Sequence, residues 1–97
     1  MTRNQVLSTL HAHLPEIQSR FGVKRLTLFG SAARDEMRNG SDVDVLVEFE
    51  GHPTFDGYMD LKAHLETLLG ANVDLVTEEA LKPRMRPIVE KDRVHVA

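Results

Sequence analysis

The sequence predicts an α/β chain of the α+β type, a small mixed β-sheet covered by helices. Three observations carry this. Helical and strand periodicities alternate along the chain in the order helix, strand, short helix, strand, helix, strand, helix, strand. The strand segments, residues 23–29, 42–49 and 71–77, are short apolar runs bounded by Gly, Asn or Pro. Asp42, Asp44 and Asp74 interrupt these runs. A strand covered on both faces reads as a nearly continuous apolar run, so the acids imply helices on one face and an at least partly open second face.

Bulk properties narrow the function classes. A chain of 97 residues suits one domain, residues 1–97. That length buries roughly 65% of its unfolded surface, enough for one modest core. A net charge of −3 argues against a broad nucleic-acid footprint, which needs a basic face. It does not argue against nucleotides, where a metal ion supplies the positive charge. With no cysteine there is no disulfide and no thiolate metal site. No apolar run approaches the ~20 residues of a membrane span, and the N-terminus is too polar for a signal peptide. A cytoplasmic protein is expected.

The first helix begins at a capping box, with Thr2 as N-cap and Gln5 three residues on. Leu7, Leu10, Leu14, Ile17 and Phe21 recur at helical spacing, and Gly22 ends the run. Pro15 predicts a kink or a break into two helices. His11 and His13 have no third ligand in pattern and read as solvent-facing. The first strand, residues 23–29, leads into Gly30-Ser31 and a short helix over residues 32–37, then the turn dipeptide Asn39-Gly40. After the second strand, residues 50–53 form a loop. A helix then runs from residue 54 or 56 to Leu69, with Tyr58, Leu61, Leu65 and Leu68 on its buried stripe and Gly70 closing it. After the third strand, Pro83 and Pro87 make a single long helix untenable; a turn and a helix from about Arg84 are expected. Residues 94–96 suit a short last strand.

The chemistry gathers between Leu28 and Phe49. Strand side chains alternate, so Asp42 and Asp44 share a face, roughly 7 Å apart. Like charges so placed repel, and a divalent cation with oxygen ligands, Mg²⁺, resolves this. The apolar strand ending in Gly30-Ser31 and turning into a helix presents backbone N–H groups and a hydroxyl to a phosphate. Asp74 stands mid-strand between Val73 and Leu75, where Asp is disfavoured. If the third strand lies beside the second, Asp74 joins Asp42 and Asp44. The three acids would then hold Mg²⁺ and a triphosphate, with Asp74 as general base for an attacking hydroxyl. Each acid alone reads more readily as a solvent-facing residue at a strand end; the constellation does not. Arg34 could reach the triphosphate or be a solvated helix residue. Lys82, Arg84 and Arg86 read as an exposed basic face, Tyr58 as core, and Glu48 as a rim residue.

This pattern resembles the nucleotidyltransferase superfamily with the DNA polymerase beta-like fold: Gly-Ser, a spacer (here ten residues, 32–41), Asp-x-Asp, then a third carboxylate on a later strand. More closely, LFGSAARDEMRNGSDVDVLVEFE followed by LETLLGANVDLVTEEALKPRMRPIVEKD is similar to the minimal nucleotidyltransferases (MNT), antitoxins encoded beside HEPN-domain toxins. The resemblance implies that Ser31 and the backbone at Gly30 hold the β/γ-phosphates of ATP, that Asp42 and Asp44 ligate Mg²⁺, and that Asp74 completes the site. It implies transfer of AMP from ATP, with release of pyrophosphate, to a tyrosine hydroxyl of a HEPN ribonuclease. The chain departs from the pattern at Asp35, where relatives often carry Gly. That acid is harmless on a helix exterior and weakens ATP binding if it faces the triphosphate.

Two other functions compete: an antitoxin that acts by covering the toxin without catalysis, and nucleotidyl transfer to another acceptor, such as a small molecule. The second lacks chain length for an acceptor pocket, so a partner chain, in a possible homo- or hetero-oligomer with the toxin, must supply it. The intact acids favour the enzyme, because a binding-only protein has no need of three like charges on an apolar sheet face.

Overall fold

A computed structural model describes residues 2–36, 42–78, 80 and 94–96. The elements are α1 (Arg3–Phe21), β1 (Val23–Phe29), α2 (Gly30–Ala33), β2 (Val43–Phe49), α3 (Phe55–Leu69), β3 (Val73–Thr77) and β4 (Val94–His95). The expected helix from about Arg84 lies outside the described residues.

The strands form a four-stranded sheet in the order β3-β2-β1-β4. β1 pairs antiparallel with β2 and β4, while β2 and β3 run parallel. The sheet is therefore mixed, and α3 is the crossover that a parallel pair requires. Val43, Val45 and Val47 of β2 share the main core with Leu26 and Leu28 of β1, Val73 and Leu75 of β3, and the buried stripes of α1 and α3. The opposite face carries Asp44 and a small cluster of Phe29 and Leu46, with Val76 against it. Among the described residues, the helices pack on the first of these faces.

The α1 capping box forms: Thr2 Oγ1 accepts from Gln5 N, and Gln5 Oε1 accepts from Thr2 N. Gly22 closes the helix in the left-handed conformation, φ 65°. Of the two outcomes expected at Pro15, a kink or a break, the break does not occur: α1 runs as one helix through it. An interior proline costs about 3 kcal/mol. Burying Val6, Leu10 and Ile17 contributes about 1.5–3 kcal/mol each, so packing wins. Pro15 is also exposed, so the carbonyl it leaves unbonded can meet water.

Thr54 caps α3 by accepting from Gly57 N at 3.0 Å, and Gly70 ends it. Leu61, Leu65 and Leu69 are buried, with Tyr58 and Leu68 partly buried beside them. His11 is exposed, and His13 stands 3.7 Å from Glu16 on the surface of α1.

The short helix differs from expectation. It starts at Gly30, not Ala32, and ends at Ala33; Met37 lies outside the described residues. Its stop is a Schellman motif. Asp35 N donates to Ala32 O at 3.3 Å and Glu36 N to Ser31 O at 2.8 Å. Between them Asp35 takes φ 58°, the one non-glycine residue with positive φ among the described residues.

Candidate functional site

The site lies where β1 ends and β2 and β3 begin. Antiparallel pairing sets Phe29 opposite Asp44, and parallel pairing sets Asp44 opposite Asp74. The chain then turns at Gly30 in the left-handed region, φ 65°. A Cβ there would overlap Asp44 Oδ2 and stand 3.1 Å from its Cγ, so the carboxyl packs against the bare glycine. Gly30 is thus needed twice: for its backbone conformation and for the space that Asp44 fills.

Asp44 is pushed up from 3.8 to about 6. Burial is the largest cause, followed by the charges of Asp74 and Asp42 and a hydrogen bond with Asp74; the Arg34 charge opposes them. The Asp44 carboxyl therefore takes up a proton more readily than a free Asp does, at the place where a cation would neutralise it. A hard divalent cation such as Mg²⁺ suits this all-oxygen pair and would replace the proton. Asp42 is exposed, one residue before β2 starts, and acts on Asp44 through its charge. No group of three Asp, Glu, His or Cys side chains among the described residues converges into a metal cage. Of the three acids, the structure brings Asp44 and Asp74 into contact and leaves Asp42 outside the pair. The physical reason is that Asp42 precedes the ladder that aligns the other two.

The remaining candidates fall around this pair. Ser31 is part-buried in the first turn of α2, and its carbonyl closes the Schellman motif. Arg34 caps the C-terminal end of α2 and reaches Glu36 Oε2 from Nε at 3.0 Å, with its charge felt at Asp44. Asp35 Oδ1 accepts from Arg3 N at 2.8 Å, so its carboxylate is engaged at the start of α1. Left-handed backbone costs a non-glycine residue about 1–2 kcal/mol, with Asp among the better tolerated. Glu48 shares the Asp44 face farther along β2, 3.9 Å from Lys24 and 3.7 Å from Arg25. Such exposed pairs contribute little, which suits a rim residue. Lys82, Arg84 and Arg86 lie outside the described residues.

Two residues that steady the site escape sequence reading. Glu66 of α3 accepts from Val73 N at 3.0 Å, fixing the start of β3 one residue before Asp74. The Tyr58 hydroxyl donates to Leu75 O, one residue after Asp74. Tyr58 is therefore more than a core residue. Neither link has a sequence signal, because each joins a helix to a later strand across the fold. A cleft of about 280 Å³, lined by Val47, Phe49, His52, Pro53 and Thr77 among others, opens at the other end of β2 and β3, away from the acids.

The turn thus bares Gly30 to Asp44, and a second strand acid stands beside it on a mixed sheet. The chain belongs to the nucleotidyltransferase domain family, whose model matches residues 10–96. It is 41% identical over 96 residues to the protein adenylyltransferase MntA of Thermococcus cleftensis, covering 99% of this chain and 97% of that protein. A solved minimal nucleotidyltransferase structure superposes with a TM-score of 0.81 at 38% identity, over 97% of this chain and 95% of that one. The fold is shared too, at 16% identity and a TM-score of 0.68, with a structure of a tri-AMPylated Shewanella oneidensis HEPN toxin in complex with MNT antitoxin. That match covers 94% of this chain and 71% of that one. The chain is a nucleotidyltransferase with the polymerase beta-like fold.

Proposed function

We propose that this nucleotidyltransferase is an antitoxin that transfers AMP from ATP to a tyrosine hydroxyl of a cognate HEPN-type ribonuclease toxin and so silences it. The observation that carries the reading is the Asp44 carboxyl packed against Gly30, with Asp74 opposite it on β3. The likeness to MntA over almost the full length of both chains supports it. The partner and the acceptor follow the MNT resemblance, and a cytoplasmic setting fits both.

In the proposed reaction the tyrosine oxygen bonds to the α-phosphorus of ATP. The bond from that phosphorus to the oxygen bridging the β-phosphate breaks, and pyrophosphate leaves. The tyrosine proton passes to the carboxylate of Asp74, whose strand position beside Asp44 sets it at the pair. Gly30, Ser31 and Arg34 hold and orient the triphosphate on the turn between β1 and α2, which makes the attack effectively unimolecular. Mg²⁺ at the Asp44–Asp74 pair, with Asp42 adding its charge from the residue before β2, would supply charge neutralisation of the triphosphate and of the transition state.

Neutralisation by binding alone is the alternative reading. Substituting Asp42→Asn and Asp44→Asn together separates the two in cells that express the toxin. Rescue of growth is expected to be lost while the two proteins still co-purify. Rescue that survives unchanged would mean that transfer is not the mechanism.

A further inference from the structure

Asp35 is the acid that the transfer chemistry leaves unused, and its surroundings give it a task. It occupies the left-handed position of the Schellman motif that ends α2, where glycine is the common choice. A side chain kept at such a position needs a reason, and this one makes a long-range contact. Asp35 Oδ1 accepts from the backbone N–H of Arg3, the first residue of α1. The first turn of α1 contains no acidic residue of its own. Its capping box satisfies the N–H of Gln5 but not that of Arg3. Asp35 therefore supplies both the missing acceptor and the negative charge that a helix start favours. The link is returned from the other side, because Arg3 Nη1 donates to Ala33 O at 3.3 Å, at the end of α2.

The two contacts tie the four residues of α2 to the nineteen of α1. A single turn of helix cannot hold its own shape in water. α2 is that turn, and Gly30 and Ser31 are its first two residues. We propose that Asp35 is a positioning residue for nucleotide binding. It braces the Gly30–Ser31 turn against the start of α1, so that the turn's amides and the Ser31 hydroxyl are preorganised for the triphosphate. This inference rests on the nucleotide-binding reading of that turn given above.

The bond can be cut from either end without breaking a helix. Asp35→Gly keeps the left-handed backbone and removes the carboxylate. Arg3→Pro removes the N–H donor at a first-turn position where proline is well accepted. Arg3→Ala removes only the side-chain contact and serves as its control. Asp35→Asn keeps an acceptor and a residue that tolerates the left-handed region. Amide hydrogen exchange at residues 31–36 reports the brace without any nucleotide, and calorimetry with MgATP reports its consequence.

Asp35→Gly and Arg3→Pro are expected to speed exchange at Glu36 N and to weaken MgATP binding about fivefold, with no further loss in the double variant. Asp35→Asn is expected to restore both readouts, and the melting temperature to stay close to wild type throughout. Unchanged exchange in Asp35→Gly overturns the brace, whatever the nucleotide does. Faster exchange with unchanged MgATP affinity overturns the positioning role. A wild-type protein that binds no MgATP contradicts the nucleotide reading itself, and the exchange data then still decide whether the brace exists.

Discussion

Asp44 and Asp74 stand opposite one another on adjacent parallel strands, and the Asp74 carboxyl pushes that of Asp44 up across the ladder. Burial and two neighbouring acids raise the Asp44 carboxyl to about 6 from its ordinary 3.8. Folding therefore favours its protonated form. The stabilisation is fully present below pH 4 and is lost as the pH rises through 6.

Asp44→Asn is accordingly expected to stabilise the metal-free protein at pH 8 by about 1–2 kcal/mol, allowing for partial solvent screening. The advantage should shrink towards zero below pH 4. Urea unfolding at the two pH values measures it. An equal difference at both would show that charge at this pair is not the cause.

Mg²⁺ should reverse that order at neutral pH. Added Mg²⁺ is expected to raise the unfolding midpoint of the wild-type protein and to leave that of Asp44→Asn nearly unmoved, because binding to the folded state alone stabilises by mass action. The same titration at pH 5 should give a smaller rise, since the cation must then displace a proton. Thermal unfolding with and without chelator gives the comparison.

Gly30→Ala should be severe. Its Cβ would meet the Asp44 carboxyl, and φ 65° is strained for alanine. Destabilisation of about 1–3 kcal/mol is expected, with transfer reduced about 100-fold by displacement of Asp44. Gly51→Ala shares the positive φ, 79°, but meets nothing within 4 Å. It should lose stability alone, so comparing the two separates backbone strain from the clash.

Glu66→Ala should loosen β3 beside Asp74. The Val73 N–H loses its acceptor, which costs about 1–3 kcal/mol for a buried donor and less where water reaches it. Chemical denaturation reads the loss. Tyr58→Phe, which removes the bond to Leu75 O, should cost about 1 kcal/mol by the same measure.

How much of this is legible in the sequence depends on the range of each interaction. Alternation along residues 42–49 fixes which face Asp44 occupies. An Asp set between Val73 and Leu75 is disfavoured in a strand and is explained by other site residues beside it, so the β2–β3 neighbourhood is legible too. The capping box of α1 and the glycine stops at Gly22 and Gly70 are local chemistry and read directly. The extent of α2 is not legible. Its end is set by Asp35 in a left-handed conformation and held by the backbone of Arg3, 32 residues earlier. The continuity of α1 through Pro15 is hidden for a similar reason, since tertiary packing overrides the local penalty. The separation of Asp42 from the Asp44–Asp74 pair depends on where the ladder begins, which periodicity alone does not mark.

The most direct test is mass spectrometry of the cognate HEPN-type toxin after incubation with this protein, ATP and Mg²⁺. Gain of mass in whole AMP units on a tyrosine-containing peptide is predicted, and none with the Asp42→Asn, Asp44→Asn double variant. A toxin that stays unmodified while forming a stable complex with the wild-type protein would contradict AMP transfer as its mode of neutralisation.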